Sequence, residues 1–241
     1  MTVASTGRRT FFHQRGANAL LGESHFDFST TQAKVFHLGY LMLLDEMDRL
    51  LPGGRSVASK VLEKARQAGL ITTVDIVSTE NQQFRQIAEA ALPYTDYLII
   101  NEIEAGKVAG LDLRPAEIIN IDACAEAARR LLAKGVNQQV VIHFVDGAVV
   151  ADRQGGITIQ GSLALPDGFI VGATGAGDAF AAGYLYGIHE GLGIPASIEL
   201  AVCSAAACLT HPTPSLGLRP VAECQDLAKL HGRRRIEKIQ Y

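Results

Sequence analysis

Gly172-Ala173-Thr174-Gly175-Ala176-Gly177-Asp178 stands directly before the helical run Ala179–Glu190. Its glycines are spaced GxxGxG, so it is not the GxGxxG turn of dinucleotide-binding sheets. Gly172 and Gly177 have the separation of the two P-loop glycines, but Asp178-Ala179 follows where that loop needs Lys-Ser or Lys-Thr. What remains is a turn of small residues at a helix N-terminus. There the N–H groups of Gly175, Ala176 and Gly177 can point into one concavity at the positive end of the dipole, which suits an anion. A carboxylate at Asp178 repels a phosphate, so its natural job is that of general base. It takes the proton of a hydroxyl whose oxygen attacks a phosphorus held by those N–H groups. Gly-Asp before an apolar run also reads as a plain helix start with Asp178 as cap.

Upstream of this turn, β-branched runs alternate with helical patterns. Lys34–Gly39, Leu70–Val77, Tyr97–Ile100 and Gln139–Val145 read as buried strands. Arg55–Ala68, Glu80–Leu92 and Asp122–Lys134 carry apolar residues at helical spacing. This alternation predicts a Rossmann-like α/β domain, a mainly parallel central sheet between helical layers. Ala148–Asp152 and Gly156–Gly161 read as a hairpin, and helices follow at Asp178–Glu190, Pro195–Leu209 and Pro220–Leu230. The first two are rich in Ala and Gly, so they should pack closely over the sheet. Thr10–Gln14 reads as a strand and Arg15–Asn18 as a turn, both ahead of any βα unit.

With 241 residues, 48% hydrophobic and 20% charged, the chain can bury a core. A net charge of −3 gives no basic surface for nucleic acid or anionic lipid. Cys124, Cys203, Cys208 and Cys224 form no CxxC pair, which fits a reduced, cytoplasmic protein better than a disulfide scaffold. The longest apolar stretch, Leu200–Leu209, is half of the ~20 residues a membrane helix needs. No HxH, HExxH or GxSxG spacing occurs, so zinc hydrolysis and serine hydrolase chemistry lack a signal.

A second constellation follows the third strand: Asn101-Glu102-Ile103-Glu104. Residues at the carboxyl end of a parallel strand face the crevice where ligands bind. Asn101 and Glu104 share a face if a helix begins here, and their oxygens suit Mg²⁺, which keeps most of its waters. The same spacing is a capping box.

A strand followed by NxxE, and some seventy residues later a GAGD turn opening an AFAAG helix, resembles the ribokinase-like (PfkB-type) carbohydrate kinase family. The likeness runs over essentially the whole chain. It implies phosphorylation of a sugar or nucleoside hydroxyl by Mg-ATP, with Asp178 as catalytic base and Gly175, Ala176 and Gly177 as the anion hole. Asn101 and Glu104 match its magnesium motif. Gly147 and Ser204 align with its ATP-side segments. The strand Arg9–Gln14 and the turn Gly16-Ala17-Asn18 resemble its lid and the return to the sheet, which makes Gly16 and Asn18 candidate substrate contacts. The lid strands often form the family's homodimer contact. On this reading residues 1–30 are a remnant lid and residues 31–241 the α/β domain.

The chain departs from the family in four places. Gly172 stands where an Asp usually precedes the base by six residues, in a potassium-binding loop. Phe144-Val145-Asp146-Gly147 keeps only the second glycine of a G-x-x-G turn. Ser204 stands where an Asn is frequent. The opening βα unit with its substrate-binding Asp and Gly-Gly-x-x-x-Asn segment has no counterpart, so an N-terminal part is expected to be missing. A non-catalytic nucleotide binder descended from such a kinase is the alternative reading. An NAD-dependent oxidoreductase lacks its fingerprint.

Overall fold

The alternation of β-branched and helical runs is realised in the computed structural model, which describes residues 13–236. Strand β1 (Val35–Leu41) leads to a one-turn helix α1 (Asp45–Asp48), a small hairpin of β2 (Leu50–Leu51) and β3 (Arg55–Ser56), helix α2 (Val57–Gln67) and β4 (Ile71–Ile76). Then come α3 (Phe84–Ala91), β5 (Tyr97–Asn101), α4 (Glu102–Ala109), α5 (Ile121–Ala133) and β6 (Gln139–Phe144). The chain continues through β7 (Gly147–Asp152), β8 (Ile157–Gly161), α6 (Ala176–His189), α7 (Ile194–Cys208) and α8 (Val221–His231). The main sheet has the order β1-β4-β5-β6-β7-β8. Its first three pairings are parallel and the last two antiparallel.

Side chains alternate across the sheet with period two, and each set has its own helical cover. Leu98, Ile100, Val140, Ile142, Val149 and Ala151 pack with α2, α3, α4 and α5. Ile99, Val141, Ala148 and Val150 pack with Phe180 and Tyr184 of α6 and with α7 and α8. Side chains on both faces are buried, which is why these strands read as continuous apolar runs.

Helix starts differ from the sequence expectation where a side chain caps the backbone. Ser56 accepts from Ser59 N at 3.1 Å, so α2 opens at Val57 and Arg55 remains in a strand. Asn81 Oδ1 accepts from Gln83 N at 2.8 Å, holding a turn that delays α3 to Phe84. The expected close packing of the small-residue helices is between α6 and α7. A Cβ on Gly183 would lie 2.8 Å from Ala201 Cα, and one on Gly187 2.3 Å from Ser197 Oγ.

Most of the predicted strand Thr10–Gln14, and the lid dimer contact assigned to it, fall outside the described residues. His13 and Gln14 are not in a strand, and Gly16–Leu20 forms a 3₁₀ turn. Arg15 anchors that turn near the end of β1 by donating to Met42 O at 3.3 Å and pairing with Asp45. Phe26 and Phe28 stack edge-on against Phe36 of β1 at 5.5 and 5.1 Å.

Candidate active site

Parallel strands β1, β4, β5 and β6 bring their carboxyl ends to one edge of the sheet, at Tyr40, Asp75, Asn101 and His143. Helix α6 is aimed at the same edge. Tyr40 donates to Asp178 in the helix's first turn. At the other end, Lys34 Nζ just before β1 donates to His189 O in its last turn at 3.3 Å. The helix therefore runs back along β1, and its positive end meets the strand termini.

The turn ahead of α6 is shaped by the loop that follows α7. Gly175 has φ +85°, and a Cβ there would lie 2.3 Å from Pro214 O. The position thus demands glycine for conformation and for space. Gly172 is enclosed in the same way, 2.7 Å from Pro212 Cα and 2.9 Å from His211 O. At Gly172, therefore, this chain has no room for a side chain. Cys208 Sγ donates to Pro214 O at 3.2 Å, tying that loop to α7. Among the described residues the N–H groups of Gly175 and Gly177 meet no protein acceptor, whereas Ala176 N donates to Ala173 O at 3.4 Å. Two of the three expected donors are thus open, and the third is held by a long bond. His143 stacks on Phe180 at 5.0 Å, and its Cε1 lies 3.4 Å from where a Gly177 Cβ would be. Burial holds the imidazole at about 4, neutral at physiological pH.

Asn101 and Glu104 form the capping box in full. Asn101 Oδ1 accepts from Glu104 N at 2.9 Å, and Glu104 Oε2 accepts from Asn101 N at 2.9 Å. Glu104 Oε1 also accepts from Ser78 Oγ at 2.8 Å and Asn101 Nδ2 at 2.7 Å. Glu104 is buried, and desolvation pushes its carboxyl up to about 7 despite these bonds. Asp75, at the end of β4, is buried too. Its carboxyl rises well above the usual range through desolvation, then through the charge of Glu104. The sequence reading missed Asp75, although a carboxylate inside the apolar run Leu70–Val77 was a usable signal. Cap and ligand readings do not exclude each other here, because the capping bonds aim the Glu104 carboxylate along the strand edge.

These oxygens suit a magnesium ion contacted through its own waters. Among the described residues no three His, Cys, Asp or Glu side chains converge to strip one. Among the described residues no Lys or Arg pairs with Asp75 or Glu104, and the charge of Glu104 works against ionisation of Asp75. A hydrated dication offsets that repulsion, and hydrated coordination is magnesium's habit.

Of the other sequence-predicted residues, two are enclosed by packing and two lie in an exposed turn. Gly147 is buried in the β6–β7 turn, where a Cβ would stand 2.2 Å from Gln160 O, a packing reason for its glycine. Ser204 is buried in α7, with its Oγ 2.8 Å from the Cβ position of Gly183. Gly16 and Asn18 are exposed in the 3₁₀ turn that Arg15 holds near the end of β1.

A model of the pfkB family of carbohydrate kinases matches residues 1–219. The chain is 29% identical to an adenosine kinase of Saccharomyces cerevisiae over 196 residues, covering 80% of itself and 54% of that protein. Its fold superposes on an Arabidopsis thaliana ribokinase complexed with ribose and ATP at a TM-score of 0.60 and 20% identity, covering 71% of this chain and 51% of that one. A Burkholderia thailandensis nucleoside kinase in complex with inosine gives 0.59 at 20% identity, covering 86% and 61%. The chain thus spans about half the length of the yeast kinase it matches. With a family match over nearly all its residues and this sheet beneath it, the chain belongs to the pfkB family of carbohydrate kinases.

Proposed function

We propose that this protein transfers the γ-phosphoryl group of ATP to a hydroxyl of a sugar or nucleoside. The observation that carries the reading is the first turn of α6, where the exposed Asp178 carboxylate shares a helix N-terminus with the N–H groups of Gly175 and Gly177, which meet no acceptor among the described residues. Asp178 takes the acceptor hydroxyl's proton as its oxygen bonds to phosphorus. The bond between the γ-phosphorus and the β–γ bridging oxygen breaks, and ADP leaves. Gly175 and Gly177, with Ala176 between them, hold the transferring group's oxygens, and the helix dipole favours their charge. Bound Mg²⁺ would supply charge neutralisation at the phosphates, with Asn101 and Glu104 holding its waters. The likeness to adenosine and nucleoside kinases supports a nucleoside among the acceptors to be tried first.

Four cysteines, all buried and free, support a reducing, cytoplasmic setting. No helix among the described residues is long and apolar enough to cross a membrane. The deciding experiment is a transfer assay with Mg-ATP against adenosine, inosine, ribose and fructose, run on the wild type and Asp178→Asn. Acceptor-dependent ADP release that collapses in the variant supports the reading. Nucleotide binding without transfer to any acceptor favours a non-catalytic binder.

A further inference from the structure

We infer that Tyr40 is a positioning residue for Asp178: its phenol anchors one carboxylate oxygen and leaves the other for the acceptor hydroxyl. The inference rests on the function proposed above, since it assigns Asp178 the role of base. Tyr40 lies on β1 and Asp178 on α6, 138 residues apart, and the phenol donates to Oδ1. Among the described residues no other side chain donates to Asp178, so Oδ2 stays unclaimed in an exposed carboxylate.

The surroundings suit a fixed donor. Tyr40 is half-buried, and its ionisation is pushed up by burial, by the bond to Asp178 and by the charges of Asp178, Asp75 and Glu104. The phenol therefore stays protonated and gives its hydrogen rather than competing as a base. A carboxylate on the first turn of a helix can exchange χ1 rotamers and turns broadly about χ2 unless something holds it. One charge-assisted bond from a strand residue turns that rotor into an oriented group.

The test uses Tyr40→Phe, Asp178→Asn and the double variant in the full chain, with two readouts. The first is acceptor-dependent turnover with Mg-ATP. Tyr40→Phe should lower kcat by about 10- to 100-fold, the worth of one bond to a charged group, with the KM for ATP unchanged. In the Asp178→Asn background the same change should cost little more. The second readout needs no activity: a double-mutant cycle on unfolding, together with the ¹³Cζ resonance of Tyr40. The two residues should be coupled in the cycle, and Asp178→Asn should move that resonance. Additive unfolding effects with an unmoved resonance overturn the inference whether or not the protein transfers phosphate. Additive losses in kcat also overturn it. So does a rise in acceptor-independent ATP hydrolysis with transfer intact, which would make Tyr40 a stand-in for the acceptor. A wild type that transfers nothing, yet has a coupled Tyr40–Asp178 pair, refutes the proposed function and leaves the anchoring supported.

Discussion

Asn101 and Glu104 bond each other twice through the backbone, Oδ1 to one N–H and Oε2 to the other, and a third time through Asn101 Nδ2. The box starts α4 and also clamps a buried carboxylate at the edge where β5 ends. A capping role alone would leave Glu104 free to face solvent. Here Ser78 and Asn101 hold it inside, at a cost in desolvation that a helix cap does not require.

Glu104→Gln should therefore act on metal dependence. The glutamine keeps most of the cap but removes the charge. The expected outcome is a several-fold rise in the Mg²⁺ concentration giving half-maximal activity, with partial recovery of turnover at high Mg²⁺. A magnesium titration of activity checks it, and wild-type metal dependence removes the pair from the site.

Asp178→Asn should leave Mg-ATP binding nearly intact while kcat falls by about 10²–10⁴-fold, the contribution of a positioned general base. Calorimetric nucleotide titration beside turnover per folded molecule separates the effects. Lost stability with unchanged turnover would leave Asp178 a purely structural role in the first turn of α6, whose N-cap is Gly175 and not Asp178.

Gly175→Ala should cost about 2–5 kcal/mol, combining a left-handed backbone position with an overlap in a packed site. Pro214 O lies 2.3 Å from the new Cβ, so the loop after α7 must move. Gly172→Asp should destabilise similarly, because Pro212 fills that space. Chemical denaturation checks both.

His143 predicts a pH dependence of stability. Burial holds its imidazole at about 4, below the roughly 6.5 of an exposed histidine. Between those values the unfolded chain binds more protons, so folding stability rises with pH there. The contribution is complete above about 6.5 and is lost as pH falls toward 4, with a ceiling near 3 kcal/mol. In His143→Gln, unfolding free energies measured from pH 4 to 8 should follow a flatter curve. An unchanged slope would mean that His143 takes up its proton as readily folded as unfolded.

The sequence by itself determined the layered sheet, because strand and helix periodicities are local and each apolar run had to be buried on both faces. It also determined the small-residue turn before Asp178 and the NxxE segment, whose spacings carry their own backbone chemistry. Only the tertiary structure decided what those groups face. The Tyr40 bond to Asp178 spans 138 residues and needs α6 laid back along β1. The approach of Asp75 to Glu104 depends on β4 and β5 being neighbours. Gly172, Gly147 and Ser204 could be compared with family positions in the chain, but the spaces around them are closed by Pro212, Gln160 and Gly183, residues distant in sequence. Periodicity is written within a few turns of chain, whereas a site is assembled from side chains that packing brings together, and packing is a property of the whole fold.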